Sequence, residues 1–153
     1  MCKMSKLSEA KERMLNRYQG MIDYEASTLW EAWSSKPIDG TINHGWAGGP
    51  LVVMSKYFAG IRPLGKGYES YEIKPSVVSS SYKSSVNTSK GILSYTLKKE
   101  ESVTTIQVSA IDANGSLVLD FSYGDEVTLD GKKVNLENRT LSLTKGEHTI
   151  VIH

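Results

Sequence analysis

The sequence predicts a mainly β protein in which two amphipathic helices precede an antiparallel β-sandwich of about eight strands. Two observations predict this order. Apolar residues recur at helical spacing between Leu7 and Ile22, whereas from Arg62 to His153 short runs alternate apolar and polar residues between turn residues. We therefore expect two regions, residues 1–64 and residues 65–153, of which the second forms a cooperative all-β domain by itself.

The first helix is predicted over residues 7–22, ending near Gly20, because its larger apolar side chains fall on one stripe of a helical surface. The second is predicted over residues 50–59. Pro50 suits the first position of a helix, while Gly60 and the proline three residues later are typical of a helix end. Both helices are amphipathic.

The β region is predicted from strict alternation. Residues 93–98, 106–110 and 117–121 each place apolar side chains on one face of an extended chain. Residues 112–115 are expected to form a turn, and Asp130 with Gly131 has the composition of a two-residue hairpin loop. Strands at such short spacing are typical of a sandwich.

Composition excludes several classes of function. With 18 basic and 17 acidic side chains among 153 residues, the chain has no basic field for nucleic acid, and its apolar runs are too short to span a membrane. The start lacks the apolar segment of a secretory signal, and the compartment stays undetermined. Cys2 is the only cysteine, and no two histidines have metal-binding spacing, so we expect neither a metal nor a cofactor. His148 and His153 are expected at the surface.

All three tryptophans lie in one stretch. Trp30 and Trp33 flank Glu31, and Trp46 follows His44 after a short polar loop. An indole offers a rigid apolar face, and a carboxylate beside it can act as a base or bind hydroxyl groups, a combination that suits a sugar ring. The alternative is that the tryptophans are core residues near a helix end.

The helical region is physically incomplete, because two amphipathic helices joined by an aromatic loop cannot cover each other's apolar faces. Three partners can complete it: the sandwich, a larger helical domain, or a second copy of the chain. Large apolar side chains left uncovered would form a patch that most monomers do not tolerate. Self-association through the exposed helical half is therefore one expectation.

Four segments resemble the C-terminal part of family 78 of the glycoside hydrolases, the bacterial α-L-rhamnosidases. The residues are Thr28-Leu29-Trp30-Glu31-Ala32-Trp33, Asn43-His44-Gly45-Trp46 with Gly48-Gly49-Pro50, Gly60-Ile61-Arg62-Pro63, and Gly146-Glu147-His148-Thr149-Ile150. In that family an (α/α)6 helical barrel carries the active site and a β-sandwich follows it. The resemblance implies that residues 1–64 are the end of the barrel and residues 65–153 the sandwich.

The resemblance also implies roles for the residues of the aromatic stretch. Glu31 resembles the general base of an inverting mechanism, which activates the water that attacks the rhamnosyl unit of a rhamnose-containing glycan. His44 resembles a histidine that binds sugar hydroxyls, with Trp46 beside it. Trp30 and Trp33 would wall the site, although barrel core is an equal alternative for a tryptophan at that spacing.

An inverting enzyme also needs a protonated carboxyl group about 6.5–9.5 Å from the base. The candidates in this chain are Asp23, Glu25 and Asp39, and none of them lies in a motif of the family. The resemblance therefore implies a hydrolase fragment that supplies the base without the acid and is inactive alone. The alternatives are a non-catalytic saccharide-binding or scaffold module, and an aromatic interface without a ligand.

Overall fold

The computed structural model describes residues 6–24, 28–31 and 44–153, with the side chain of Trp46 left out of the description. The chain divides into two compact units, Met1–Tyr57 and Phe58–His153. The division predicted at residues 64 and 65 stays a prediction.

Helix α1 of the first unit spans Leu7–Asp23. It contains the predicted residues 7–22 and runs past Gly20, which keeps a negative φ. A glycine inside a helix costs about 1 kcal/mol relative to alanine, so it weakens the helix without ending it. No helix in the described ranges has both the length and the apolar character required to cross a bilayer.

The second predicted helix has two parts. A 3₁₀ turn over Gly45–Gly48 leads into helix α2, Gly49–Val53, and the chain then widens into a π-helical turn over Met54–Ala59. The expectation of one α-helix over residues 50–59 was wrong in this detail. A π turn has a different angular spacing of side chains from an α-helix. Leu51, in α2, is 70% exposed.

The second unit contains ten strands in two sheets. Their bounds are β1 Ile61–Pro63, β2 Ser70–Ile73, β3 Ser81–Thr88, β4 Gly91–Glu100, β5 Val103–Ala110, β6 Asn114–Val118, β7 Val127–Leu129, β8 Lys132–Val134, β9 Thr140–Leu143 and β10 Gly146–Ile152. One sheet has the order β1-β2-β6-β9, and the other has the order β3-β4-β5-β10-β7-β8. The predicted β-sandwich is confirmed.

The core lies between the two sheets and follows the alternation read from the sequence. Side chains with less than 2% exposure come from β2 and β6 on one side and from β4, β5, β7 and β10 on the other. They are Tyr71, Ile73 and Leu117 from the first sheet, and Leu93, Tyr95, Leu97, Ile106, Val108, Val127, Ile150 and Ile152 from the second. Leu119, just after β6, belongs to the same buried set. Both inner faces are thus apolar, as a sandwich requires.

Two details of the predicted sheet were wrong. Strands β2 and β6 pair in parallel, with Ser70 opposite Asn114, so the sandwich is not wholly antiparallel. Asn114 and Gly115, predicted as part of a turn, begin strand β6. A Cβ atom at Gly115 would come within 2.3 Å of the Tyr71 ring. The glycine is therefore needed for close packing and not for chain reversal.

The hairpin predicted at Asp130-Gly131 is confirmed. Leu129 pairs with Lys132, which leaves a two-residue loop, and both loop residues have positive φ values, 51° and 78°. Positive φ at both positions defines the type I′ turn, whose twist matches the flanking strands.

Three consecutive carbonyl groups before β1 are bonded to other parts of the second unit. The Phe58 oxygen accepts from the Ser76 N–H at 3.0 Å, the Ala59 oxygen from the Tyr95 hydroxyl at 2.5 Å, and the Gly60 oxygen from the Lys74 N–H at 3.0 Å. Gly60 has a φ of 65°, and a Cβ atom there would lie 1.9 Å from the Lys74 oxygen. The chain therefore enters the sandwich at residue 58.

His148, expected at the surface, is partly buried, with its side chain 11% exposed. Its Nδ1 lies 2.8 Å from Asp130 Oδ2 and its Nε2 lies 2.9 Å from the Thr144 carbonyl oxygen. The imidazolium can donate to both of these acceptors, whereas the neutral ring with its proton on Nδ1 can accept at Nε2 from the Thr144 hydroxyl, 3.3 Å away. Hydrogen bonding to Asp130 raises the pKa of His148, and the same contact, with the Thr149 N–H, lowers the pKa of Asp130.

We predict that residues 58–153 are more stable than residues 65–153 by at least about 1–3 kcal/mol. Removing residues 58–64 deletes β1 and leaves the Tyr95 hydroxyl buried without its acceptor. Urea unfolding followed by circular dichroism measures the difference. Tyr95→Phe in residues 58–153 isolates the share of that one hydrogen bond, and equal stability of the two fragments would contradict an entry at residue 58.

We predict a pH dependence of stability that His148 controls. Its folded pKa is raised, so its contribution is full below the ordinary histidine value of 6.5 and is lost as pH rises through the folded pKa. For Asp130 the pKa is lowered, so its contribution is present above 3.8 and is lost as pH falls. Thermal unfolding between pH 5 and about pH 9 should show a steeper decline for the natural chain than for His148→Gln. His153→Gln is the matched control, and an unchanged slope in His148→Gln would refute the assignment.

Candidate functional site

Glu31 and His44 lie side by side in the first unit. The His44 N–H donates to the Leu29 carbonyl oxygen at 2.9 Å, and this backbone bond joins the two segments that carry the residues. Their side chains then face each other, with His44 Nδ1 at 4.0 Å from Glu31 Oε2. The histidine side chain is 34% exposed and the glutamate side chain 45% exposed. An imidazole and a carboxylate that both reach solvent can bind hydroxyl groups or a water molecule.

A short turn positions His44. His44 has an extended backbone and precedes the 3₁₀ turn Gly45–Gly48, which its carbonyl closes by accepting from the Ala47 N–H at 3.1 Å. The Tyr18 hydroxyl of α1 donates to the Ala47 carbonyl oxygen, also at 3.1 Å. Tyr18 therefore ties the turn to the first helix. The sequence gave no signal of this contact.

Trp30 is a buried side chain. It is 2% exposed, and its ring packs edge-on against Tyr24 with centroids 5.3 Å apart and an interplanar angle of 84°. Within the described residues its indole Nε1 is buried and has no hydrogen-bond partner. Such packing fits the core role that the sequence left open. The predicted sugar-binding role of Trp30 is a separate matter and stays a prediction.

The other predicted site residues are only partly described. Trp33 lies outside the described residues, as do Glu25 and Asp39, and nothing is stated of the Trp46 side chain. Asp23, the remaining candidate for a general acid, ends helix α1 in an exposed position and accepts from Gln19 Nε2 at 2.7 Å. The described residues thus bring Glu31 and His44 together, and they assign no acid to this pair.

Two further observations bear on the chemistry. No group of three or more potential metal ligands occurs among residues 6–24, 28–31 and 44–153. The sandwich has a shallow cavity of about 180 Å³ lined by Val77, Val78, Ser79, Ser80, Leu97, Lys99 and Tyr123. This lining contains no carboxylate, so the cavity lacks the groups of a glycosidase site.

We predict that Trp30→Ala lowers the stability of the first unit by about 3–5 kcal/mol, the usual cost of truncating a buried tryptophan. Trp30→Phe should cost less, since it keeps an aromatic ring against Tyr24. Loss of helical signal at 222 nm on heating measures the effect. Leu51→Ala is the control, because that side chain is 70% exposed. If the two alanine variants melt alike, Trp30 is not a core residue.

The fold matches parts of larger solved structures. No family model matches the sequence, and no characterised protein sequence is significantly similar to it. The structure is similar to an α-L-rhamnosidase from Dictyoglumus thermophilum, with a TM-score of 0.74 and 20% identity, over 87% of this chain and 17% of that one. It is also similar to an α-L-rhamnosidase from Streptomyces avermitilis complexed with L-rhamnose, with a TM-score of 0.65 and 19% identity, over 87% and 14% of the two chains. The chain therefore has the fold of a segment of these α-L-rhamnosidases and spans a small fraction of their length.

Proposed function

We propose that this chain is a fragment of an inverting α-L-rhamnosidase, an enzyme that hydrolyses terminal α-L-rhamnosyl linkages. The observation that carries the proposal is the structural similarity over 87% of the chain to two α-L-rhamnosidases. The position of Glu31 and His44 adds support, because these residues also carry the sequence resemblance and lie within 4.0 Å of each other.

In this proposal Glu31 is the general base. Its carboxylate takes a proton from the water that attacks the anomeric carbon, and His44 binds hydroxyl groups of the rhamnosyl ring. The partial exposure of both side chains leaves room for a water molecule and a ligand. The contribution of Trp33 and Trp46 to sugar binding is proposed from the sequence resemblance alone. The buried Trp30 acts mainly by holding the segment that carries Glu31.

The fragment is proposed to be incomplete. It covers 17% and 14% of the two similar chains. Several large apolar side chains of its first unit are more than half exposed, namely Leu15, Ile22, Leu51, Val52 and Met54. Exposed apolar side chains in such number favour a surface that further helices of a barrel, or a second copy of the chain, would cover.

We predict negligible hydrolysis by the isolated chain. A missing general acid costs about 100- to 10,000-fold in rate, and a missing barrel also removes the groups that position the substrate. Release of the aryl group from an aryl α-L-rhamnoside should be no faster than with the Glu31→Gln variant. A rate that depends on Glu31 would show that this chain supplies its own acid.

The role of Glu31 can also be tested in the longer protein, where activity is expected. The DNA upstream of the codon for Met1 is expected to encode more helices with an acid-rich segment. In that longer protein, Glu31→Gln should lower kcat by about 100- to 10,000-fold. Glu137→Gln, which changes an exposed carboxylate of the second unit, is the matched control. Equal activity of the two variants would refute the role of Glu31.

The alternative function is saccharide binding without cleavage. Titration of the isolated chain with L-rhamnose separates the two functions. Binding that Trp46→Ala abolishes and Glu31→Gln leaves unchanged would favour a binding module over a catalytic fragment.

A further inference from the structure

Phe121 is the most exposed large apolar side chain of the described residues, at 88%. The alternation of Leu117, Leu119 and Phe121 predicts that all three face the core, and for Phe121 this was wrong. Strand β6 ends at Val118, and a turn follows in which Asp120 Oδ1 accepts from the Ser122 N–H at 2.9 Å and from the Ser122 hydroxyl at 2.7 Å. This turn rotates the next ring outward, and its hydrogen bonds lower the pKa of Asp120.

Arg139 holds the loop that presents the ring. Its Nη2 donates to the carbonyl oxygens of Asp120, Tyr123 and Gly124 at 2.9, 2.8 and 3.2 Å, and its Nη1 lies 2.5 Å from Asp125 Oδ1. The arginine side chain is 12% exposed. A guanidinium with four acceptors fixes the loop in one conformation, so the position of Phe121 does not depend on contacts of its own ring.

The Arg139 guanidinium lies close to both the Phe121 ring and a carboxylate. Its guanidinium carbon is 5.8 Å from the Phe121 ring centre, within the range of a cation–π contact. The same guanidinium binds the Asp125 carboxylate, whose side chain is 95% exposed. The aromatic ring and an accessible carboxylate therefore flank one buried cation.

Leaving a phenylalanine in water forgoes about 1.5–3 kcal/mol of burial free energy. A protein-docking surface would surround such a ring with further apolar side chains. Around Phe121 the loop instead carries Asp120, Ser122 and Asp125, which are polar and exposed. One aromatic face with a rim of hydrogen-bonding groups suits a pyranose, which has an apolar face of C–H groups and a periphery of hydroxyls.

We propose that Phe121 and Asp125 form a saccharide-contact site on the sandwich, separate in sequence from Glu31 and His44. The Phe121 ring stacks on the apolar face of a pyranose. The Asp125 carboxylate accepts hydrogen bonds from its hydroxyl groups, and the Ser122 hydroxyl lies on the same loop. The choice of rhamnose as the sugar rests on the proposed function, whereas the stacking site itself does not.

The test is a residue-resolved NMR titration of the full chain with L-rhamnose, methyl α-L-rhamnoside and D-galactose as separate probes. We expect amide shifts in residues 119–125 and at Arg139. Phe121→Ala should weaken that binding about tenfold, the equivalent of 1.4 kcal/mol, and Asp125→Asn should weaken it as well. Phe121→Trp should retain it, since a larger aromatic face remains. Ile92→Ala, which truncates another exposed side chain of the same unit, is the matched control.

The outcomes separate this site from the proposed function. Shifts at residues 119–125 with D-galactose but not with the rhamnose probes would support the site and count against the rhamnosidase proposal. Shifts at Glu31 and His44 alone would support the rhamnosidase proposal and overturn this site. Unchanged binding in Phe121→Ala would also overturn it. So would a loss of self-association in that variant without any sugar-induced shift, because the ring would then be part of a protein interface.

Discussion

The sandwich depends on the hydrogen bonds at its first three residues, whose carbonyl groups all accept a hydrogen bond from other parts of the sandwich. Carbonyls at the end of a helical segment lack partners within the helix, and when buried they must find donors elsewhere. Phe58, Ala59 and Gly60 find them in Ser76, Tyr95 and Lys74. Of the three donors, the Tyr95 hydroxyl depends most on its partner. Burial raises its pKa, and a buried hydroxyl without an acceptor would lower the stability of the fold. Gly60 can make its contact only because it has no side chain.

Most of the sandwich could be predicted from the sequence, because alternation and turn chemistry are local. Asp130 and Gly131 tolerate the positive φ values that the hairpin turn requires. In the strands that build the core, every second side chain is apolar, which identifies the buried face. What failed depends on partners distant in the chain. The parallel pairing of β2 with β6 joins strands far apart in the sequence and places Tyr71 against Gly115. The contact of His148 with Asp130 likewise joins strand β10 to the loop between β7 and β8.

The candidate site was predictable in its residues and not in its geometry. The residue types at positions 31 and 44 indicated sugar chemistry, but nothing local places them 4.0 Å apart. That distance is set by one backbone hydrogen bond between Leu29 and His44 and by the contact of Tyr18 with the following turn. Trp30 is a different case: the sequence allowed two roles, its near-complete burial fits the core role, and its sugar-binding role stays a prediction.

The four segments that resemble the rhamnosidases do not carry equal weight for function. Gly60-Ile61-Arg62-Pro63 forms the entry to the sandwich, where Ile61 is buried and Arg62 pairs with Glu72 on the neighbouring strand. The closing segment is β10, which lies between β5 and β7 in the larger sheet. Packing and strand pairing in the sandwich explain both segments, so their resemblance supports a shared fold and not a shared activity. Glu31 and His44 differ from both segments, because each side chain is partly exposed and neither belongs to the buried core. A carboxylate and an imidazole that lie close together and both reach solvent can bind hydroxyl groups or a water molecule. Similarity of fold supports the proposed ancestry, and the Glu31–His44 pair is the feature of the described residues that a catalytic role would need.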